Sequence, residues 1–195
     1  MASPLLILTL LLTALSPANS AASPDSTNFI RRSCSVTLYP QRCYSSLKLY
    51  AATVRQNPLT LAVIAANISL ANIKEASFQG VALQRRNTKR IASALHDCVD
   101  LLLTAADLTE QSAAEIQKLG PAAQAGGPSF AWEVSNAQTW MSAALTNEDT
   151  CIDGIDEVVG GGGATAEVAA FRAKVARVEQ YTSNALALLN ALVGG

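Results

Sequence analysis

GPAAQAGGP occupies residues 120–128, and its reading decides the fold. Its glycines and its two prolines interrupt any helix that reaches them. On either side lies a long segment whose apolar residues recur at helical spacing. The upstream segment, about Thr88–Leu119, puts Ile91, Leu95, Cys98, Leu102, Ala105, Leu108 and Ile116 on one side. The downstream segment, about Ser129–Val158, does the same with Ala137, Trp140, Ala144, Leu145, Ile152 and Ile155. A second breaker, GGGG at 160–163, leads into a further segment, about Ala164–Val193, carrying Val168, Phe171, Val175, Val178, Ala185, Leu188 and Leu192. Before all of these, about Pro58–Leu83 aligns Leu61, Ile64, Ile68, Ala71 and Phe78. Long amphipathic helices joined by short connections pack as antiparallel neighbours. The expected fold is therefore all-α, an up-down-up-down four-helix bundle.

The cysteines test that arrangement. Cys98 lies about 26 residues before the centre of the 120–128 breaker and Cys151 about 26 after it. In an antiparallel pair, residues equally far from the turn stand at the same height, so these two can face each other. That leaves Cys34 for Cys43, nine positions on, around Tyr39-Pro40. Loop-closure entropy assigns about 3–4 kcal/mol to each bridge. A zinc site would want a CxxC-like pair or several histidines, whereas His96 is the only histidine.

Disulfides presuppose an oxidising compartment, and the N-terminus agrees. Residues 4–15 read PLLILTLLLTAL, too short to span a bilayer as a helix, and PANSAAS follows with small residues suited to signal-peptidase cleavage. Residues 1–22 are expected to be a signal peptide, although no Lys or Arg precedes the apolar run. Residues 24–57 do not continue the bundle pattern and read as short helices either side of Tyr39-Pro40, an N-terminal helical hairpin. The bundle then covers 58–195, with no later apolar stretch expected to cross a membrane. A formal net charge of −1 gives no general attraction to nucleic acid or anionic membranes.

Catalytic signatures are missing from the sequence. His96 sits in ALHDC as the one histidine available for acid–base work, and no G-x-S-x-G, H-E-x-x-H or Walker loop occurs. GGGG lacks the Gly-Lys-Ser/Thr of a phosphate loop. Asp153, Asp156 and Glu157 in CIDGIDE are too compact for an EF-hand, which places its last ligand twelve positions along. No cofactor or metal is expected. Asn67-Ile68-Ser69 is a glycosylation sequon, and Asn67 is the candidate acceptor.

Four separate blocks, in order, carry a resemblance to a known family. They are FIRRSCSVTLYPQRCYSSL (29–47), ALHDCVDLLLTAADL (94–108), VSNAQTWMSAALTNEDTCIDGI (134–155) and YTSNALALLNAL (181–192). The first holds C-x-x-T-x-Y-P-x-x-C at Cys34, Thr37, Tyr39, Pro40 and Cys43. Together they resemble the plant invertase and pectin methylesterase inhibitor family over almost the whole mature chain. The resemblance implies a four-helix bundle preceded by a helical hairpin, with the first two and the last two cysteines joined. It also implies a secreted, non-enzymatic protein of the apoplast and cell wall. One branch of the family lays bundle helices over the pectin-binding cleft of pectin methylesterase. The other inserts a Pro-Lys-Phe element into the sucrose site of acid invertase, and this chain contains no Pro-Lys-Phe.

TWMSAALTNEDTC (139–151) is similar to the methylesterase-directed branch, which makes pectin methylesterase the expected protein partner. Carried over by position relative to the cysteines, the contact residues become Asp100, Thr104, Asp107, Thr150 and Asp153. Their i, i+3, i+4 and i+7 spacings are consistent with a shared helix face. Many relatives have E-L-Y-x-D-A after the third cysteine; here Asp100-Leu101-Leu102 precedes Thr104-Ala105, so a carboxylate is missing at 104. Inhibition of acid invertase is the alternative reading. From another class comes a helical carrier of small apolar ligands, which would need a dry cavity inside the bundle.

Overall fold

The structure is a computed structural model that describes residues 23–120, 128–160 and 165–194. The expected signal peptide lies outside them. Short helices come first: α1 (Pro24–Cys34), α2 (Pro40–Leu47), a 3₁₀ turn at Lys48–Tyr50, and α3 (Ala51–Val54). Four long helices follow: α4 (Pro58–Gln84), α5 (Lys89–Lys118), α6 (Pro128–Val159) and α7 (Ala166–Asn190). The architecture is the expected one, with an N-terminal helical hairpin packed on an antiparallel bundle. Each long helix lies against its sequence neighbours and α7 closes the ring against α4.

Local chemistry sets the boundaries. Arg55 and Gln56 both take positive φ (46° and 63°), which reverses the chain after α3. Asn57 then caps α4, its Oδ1 accepting from the Thr60 N–H at 2.9 Å, with Pro58 in the first turn where no N–H is needed. Thr165 caps α7 through the Val168 N–H. Gly120, at φ +63°, follows the C-terminus of α5 in the left-handed conformation that glycine adopts freely. Pro128 opens α6 one residue earlier than the sequence reading, and α7 stops at Asn190, short of the expected Val193.

The two bridges are Cys34–Cys43 and Cys98–Cys151, with Cα–Cα distances of 5.5 and 4.3 Å. Cys98 and Cys151, equally far from the break, thus face each other across the α5/α6 hairpin. The α4 face requires correction. Of its expected stripe only Leu61 is buried; Ile64 and Ile68 are half-buried, Ala71 is exposed and Phe78 is 77 % exposed. Small residues occupy the interior instead, among them Ala62, Ala66, Ser69, Ala76 and Gly80. A Cβ built on Gly80 would lie 2.6 Å from Val99 Cγ2 and 3.0 Å from Phe171 Cζ, so α4 meets α5 and α7 there at glycine distance. By length and composition α4 is also apolar enough to span a bilayer, contrary to the sequence reading; here it is a core helix between α5 and α7.

On α6, Ala137, Ala144, Ile152 and Ile155 are buried as expected, whereas Trp140 and Leu145 are only half-buried. Met141 and Glu148 fill the centre, both fully buried. Two apolar clusters result. One joins Ile30, Leu47 and Val54 of the extension to Leu61, Ile116, Met141 and Leu189. The other gathers Ile73, Leu95, Leu102, Ile155, Phe171 and Val175 around the Cys98–Cys151 bridge.

Ser69 on α4 and Thr182 on α7 fall between these clusters along their helices, and Glu148 reaches the same level. Thr182 Oγ1 donates to Glu148 Oε1 at 2.7 Å and lies 2.6 Å from Ser69 Oγ. Among the described residues, Glu148 Oε2 is buried without a hydrogen-bond partner. Burial pushes the Glu148 carboxyl up to about 8, against the opposing pull of the Thr182 hydrogen bond; Glu179 adds repulsion.

The extension is held by α7. Asn184 accepts from the Tyr39 N–H and donates to the Tyr39 carbonyl, both at 3.1 Å. Arg42 donates to Gln180 at 2.6 Å and lies over the Tyr181 ring.

Candidate interaction face

The Cys98–Cys151 bridge fixes α5 against α6, and a shallow groove of about 340 Å³ runs along the seam. Asp97 and Leu101 line it from α5, and Thr150, Gly154 and Glu157 from α6. Thr150 is exposed, and its hydroxyl donates to the Thr146 carbonyl at 2.8 Å. Thr104, also exposed, donates to the Asp100 carbonyl at 2.9 Å. Both hydroxyl protons are used within their own helices, so each oxygen keeps lone pairs free to accept a hydrogen bond.

The remaining expected residues are exposed on the same pair of helices. The Asp100 carboxylate stands 3.8 Å from His96 Nε2, and Asp107 lies further along α5. Asp153 is close enough to α7 to help raise the pKa of Arg172. Its neighbour Asp156 takes Arg172 in a two-pronged ion pair, with contacts of 2.6, 2.9 and 3.2 Å, and the guanidinium holds that carboxyl below its usual range. Thr150 therefore lines the α5/α6 groove while Asp153 sits toward the α6/α7 side.

Asp97, Asp149 and Glu157, which were not among the expected contact residues, are exposed on these helices too. A count of charges along the chain would have found them. Of the fifteen Asp and Glu, all but Asp25, Glu75, Glu167 and Glu179 fall between residues 91 and 160. Of the fourteen Lys and Arg, only Lys118 does. A net charge near zero thus conceals an acidic half of the bundle. Asn67 lies elsewhere, exposed on α4 beside a groove with Tyr50 and Ile64.

Fold and face define a disulfide-stapled helical bundle with an acidic outer surface on α5 and α6. The family model for plant invertase/pectin methylesterase inhibitors matches residues 28–188, and the chain belongs to that family. It is 38 % identical over 192 residues to pectinesterase inhibitor 9 of Arabidopsis thaliana, covering 95 % of this chain and 92 % of that one. A 21 kDa protein of Daucus carota is 38 % identical over 186 residues, 93 % of each chain. Among solved structures, a mutant form of a pectin methylesterase inhibitor from Arabidopsis superposes with a TM-score of 0.62. That match covers 80 % of this chain and 92 % of the other at 18 % identity, and it speaks for the fold alone.

Proposed function

We propose that this chain is a secreted inhibitor of pectin methylesterase that covers the enzyme's pectin-binding cleft with its α5/α6 face. The observation that carries this reading is the acidic surface on two helices pinned together by Cys98–Cys151, in a chain of this family. The cleft it would cover accommodates an acidic polysaccharide. Asp97, Asp100 and Asp107 on α5, with Thr150 and Asp153 on α6, would supply carboxylates and acceptor oxygens in its place. An interface of roughly 1,600 Å² is enough for a specific complex. The apoplast is the compartment that fits a leader at 1–22 and two disulfides.

The test is a titration of plant pectin methylesterases with the oxidised protein at mildly acidic pH, expected to saturate near one inhibitor per enzyme. Thr150→Ala and Asp153→Ala should weaken inhibition while leaving the melting temperature in place. Several methylesterases left fully active by the wild-type protein would overturn the reading. The family's own description favours a parallel titration against acid invertase, the second candidate. A carrier of apolar ligands has less support, because Leu102, Met141, Phe171 and the Ser69–Thr182–Glu148 group occupy the bundle interior.

A further inference from the structure

The positive charge missing from α5 and α6 is concentrated elsewhere. QRRNTKR (84–90) sets Arg85, Arg86, Lys89 and Arg90 within one turn between α4 and α5, all exposed. Among the described residues, no carboxylate stands within salt-bridge distance of any of them. For two of them the position is also electrostatically unfavourable. Lys89 and Arg90 begin α5, where the helix dipole is positive, and the first turn of α5 holds no acidic residue. Stability alone would place Asp or Glu there.

Arg86 continues the patch into an open groove of about 480 Å³ between α4 and α7, lined also by Gln79, Lys174 and Arg177. Lys174 is already paired with Glu75 at 2.6 Å, and among the described residues that line the groove Glu167 is the one carboxylate. Arg86 and Arg177 are exposed and unpaired among the described residues. In the ring α4–α5–α6–α7, this groove lies across the bundle from the acidic α5/α6 face.

We propose that the α4–α5 turn and the adjoining α4/α7 groove form a second binding surface, for polyuronate: the de-esterified, carboxylate-bearing form of pectin. This rests on the methylesterase reading, since hydrolysis of pectin methyl esters leaves a polycarboxylate where the enzyme has worked. Arg85, Arg86, Lys89 and Arg177 are complementary to such a chain, and guanidinium groups suit carboxylates through paired hydrogen bonds. The acidic face would hold the enzyme while the basic surface holds its polymeric product. Inhibitor would then accumulate where de-esterification has already occurred.

Binding is measured by affinity electrophoresis of the oxidised protein in gels containing polygalacturonate, highly methyl-esterified pectin or no polymer. Polygalacturonate should retard the wild type, and retardation should fall steeply as NaCl rises from about 50 to about 300 mM, because such contacts are screened. The triple variant Arg85→Ala/Arg86→Ala/Lys89→Ala should bind at least about tenfold more weakly, each lost surface contact removing a few-fold. The same variant should still titrate pectin methylesterase normally and keep its melting temperature. Equal retardation by esterified pectin, or undiminished binding by the triple variant, would overturn the proposal. So would tighter binding to vesicles of anionic phospholipid than to polygalacturonate. A protein that binds polygalacturonate as described yet fails to inhibit any methylesterase would overturn the reading of the acidic face and leave this surface standing.

Discussion

Glu148 offers the sharpest test of the packing. The side chain is fully buried in the bundle, one oxygen bonded to Thr182 and the other without a partner, and its carboxyl titrates near 8 against an ordinary 4.5. A neutral acid can reverse the Thr182 bond and donate through it, while an ionised one would leave a charged oxygen unsatisfied. The sign follows from proton linkage. Below pH 4.5 both folded and unfolded chains hold the proton, so the group has no pH-dependent effect. Above that the unfolded chain releases it and the folded chain does not, until the pH passes about 8. Stability should therefore fall as pH rises between those limits, by about 1.4 kcal/mol per unit, or about 3 kcal/mol by pH 7. For a chain of this size that corresponds to roughly 5–10 °C in melting temperature. Glu148→Gln keeps the shape and cannot ionise. Melting curves of wild type and variant should be recorded from pH 4 to pH 8. Any constant offset from the substitution cancels in the change of the difference, which should grow in the variant's favour by about 3 kcal/mol from pH 4.5 to pH 7. Parallel profiles would show that Glu148 is solvated or paired in the native state, and the argument would fail.

Gly80→Val should lower stability by about 2–3 kcal/mol in urea titration, because its added carbons meet Val99 and Phe171 at the helix contact; an unchanged midpoint would refute that close approach. Asn184→Ala leaves the Tyr39 N–H unpaired, while the Tyr39 carbonyl keeps its bond from the Cys43 N–H, and should cost about 1–2 kcal/mol. Hydrogen exchange should accelerate over residues 24–47 ahead of the bundle, and uniform exchange would mean that Asn184 does not hold the extension. Replacing both Cys98 and Cys151 by Ser opens a 53-residue loop and should cost about 4 kcal/mol, on the order of 10 °C by calorimetry. A melting temperature within a degree or two of the wild type would contradict the loop-entropy account.

Much of this fold was legible in one sequence because its punctuation is strong. The Gly- and Pro-rich breaks bracket α6, and the equal spacing of Cys98 and Cys151 about the first break selects an antiparallel pair. The inward face of α4 was harder to read. Bulk was the cue, and it favoured Phe78 and Ile68 over Ala62, Ala66 and Gly80. Where three helices approach at glycine distance, the small residues turn inward and the large ones are displaced to the flanks. Periodicity weighted by side-chain size then points to the wrong arc. The extension was legible as short helices around Tyr39-Pro40, but its attachment was not, since an asparagine 145 positions downstream supplies the clamp.

Glu148 and the charged faces were missed for related reasons. Followed by phase alone, Ala137, Met141, Ala144, Glu148, Cys151 and Ile155 step along α6 at intervals of three and four, and every one of them is buried. Reading by residue type sends a glutamate outward and breaks that series. The bridge at Cys151 was the available signal, because the residue three before a buried cysteine lies on the same face. Outside that stripe, Asp149, Thr150 and Asp153 are all exposed, so NEDTC sets one buried carboxyl, whose pKa burial raises, beside Asp149, which faces water. The segregation of charge was likewise present in the sequence and invisible in its sum. A net value of −1 arises here from an acidic α5/α6 half and a basic remainder. For a bundle, whose helices assign each stretch of chain to one side, charge counted helix by helix locates surfaces that net charge cancels.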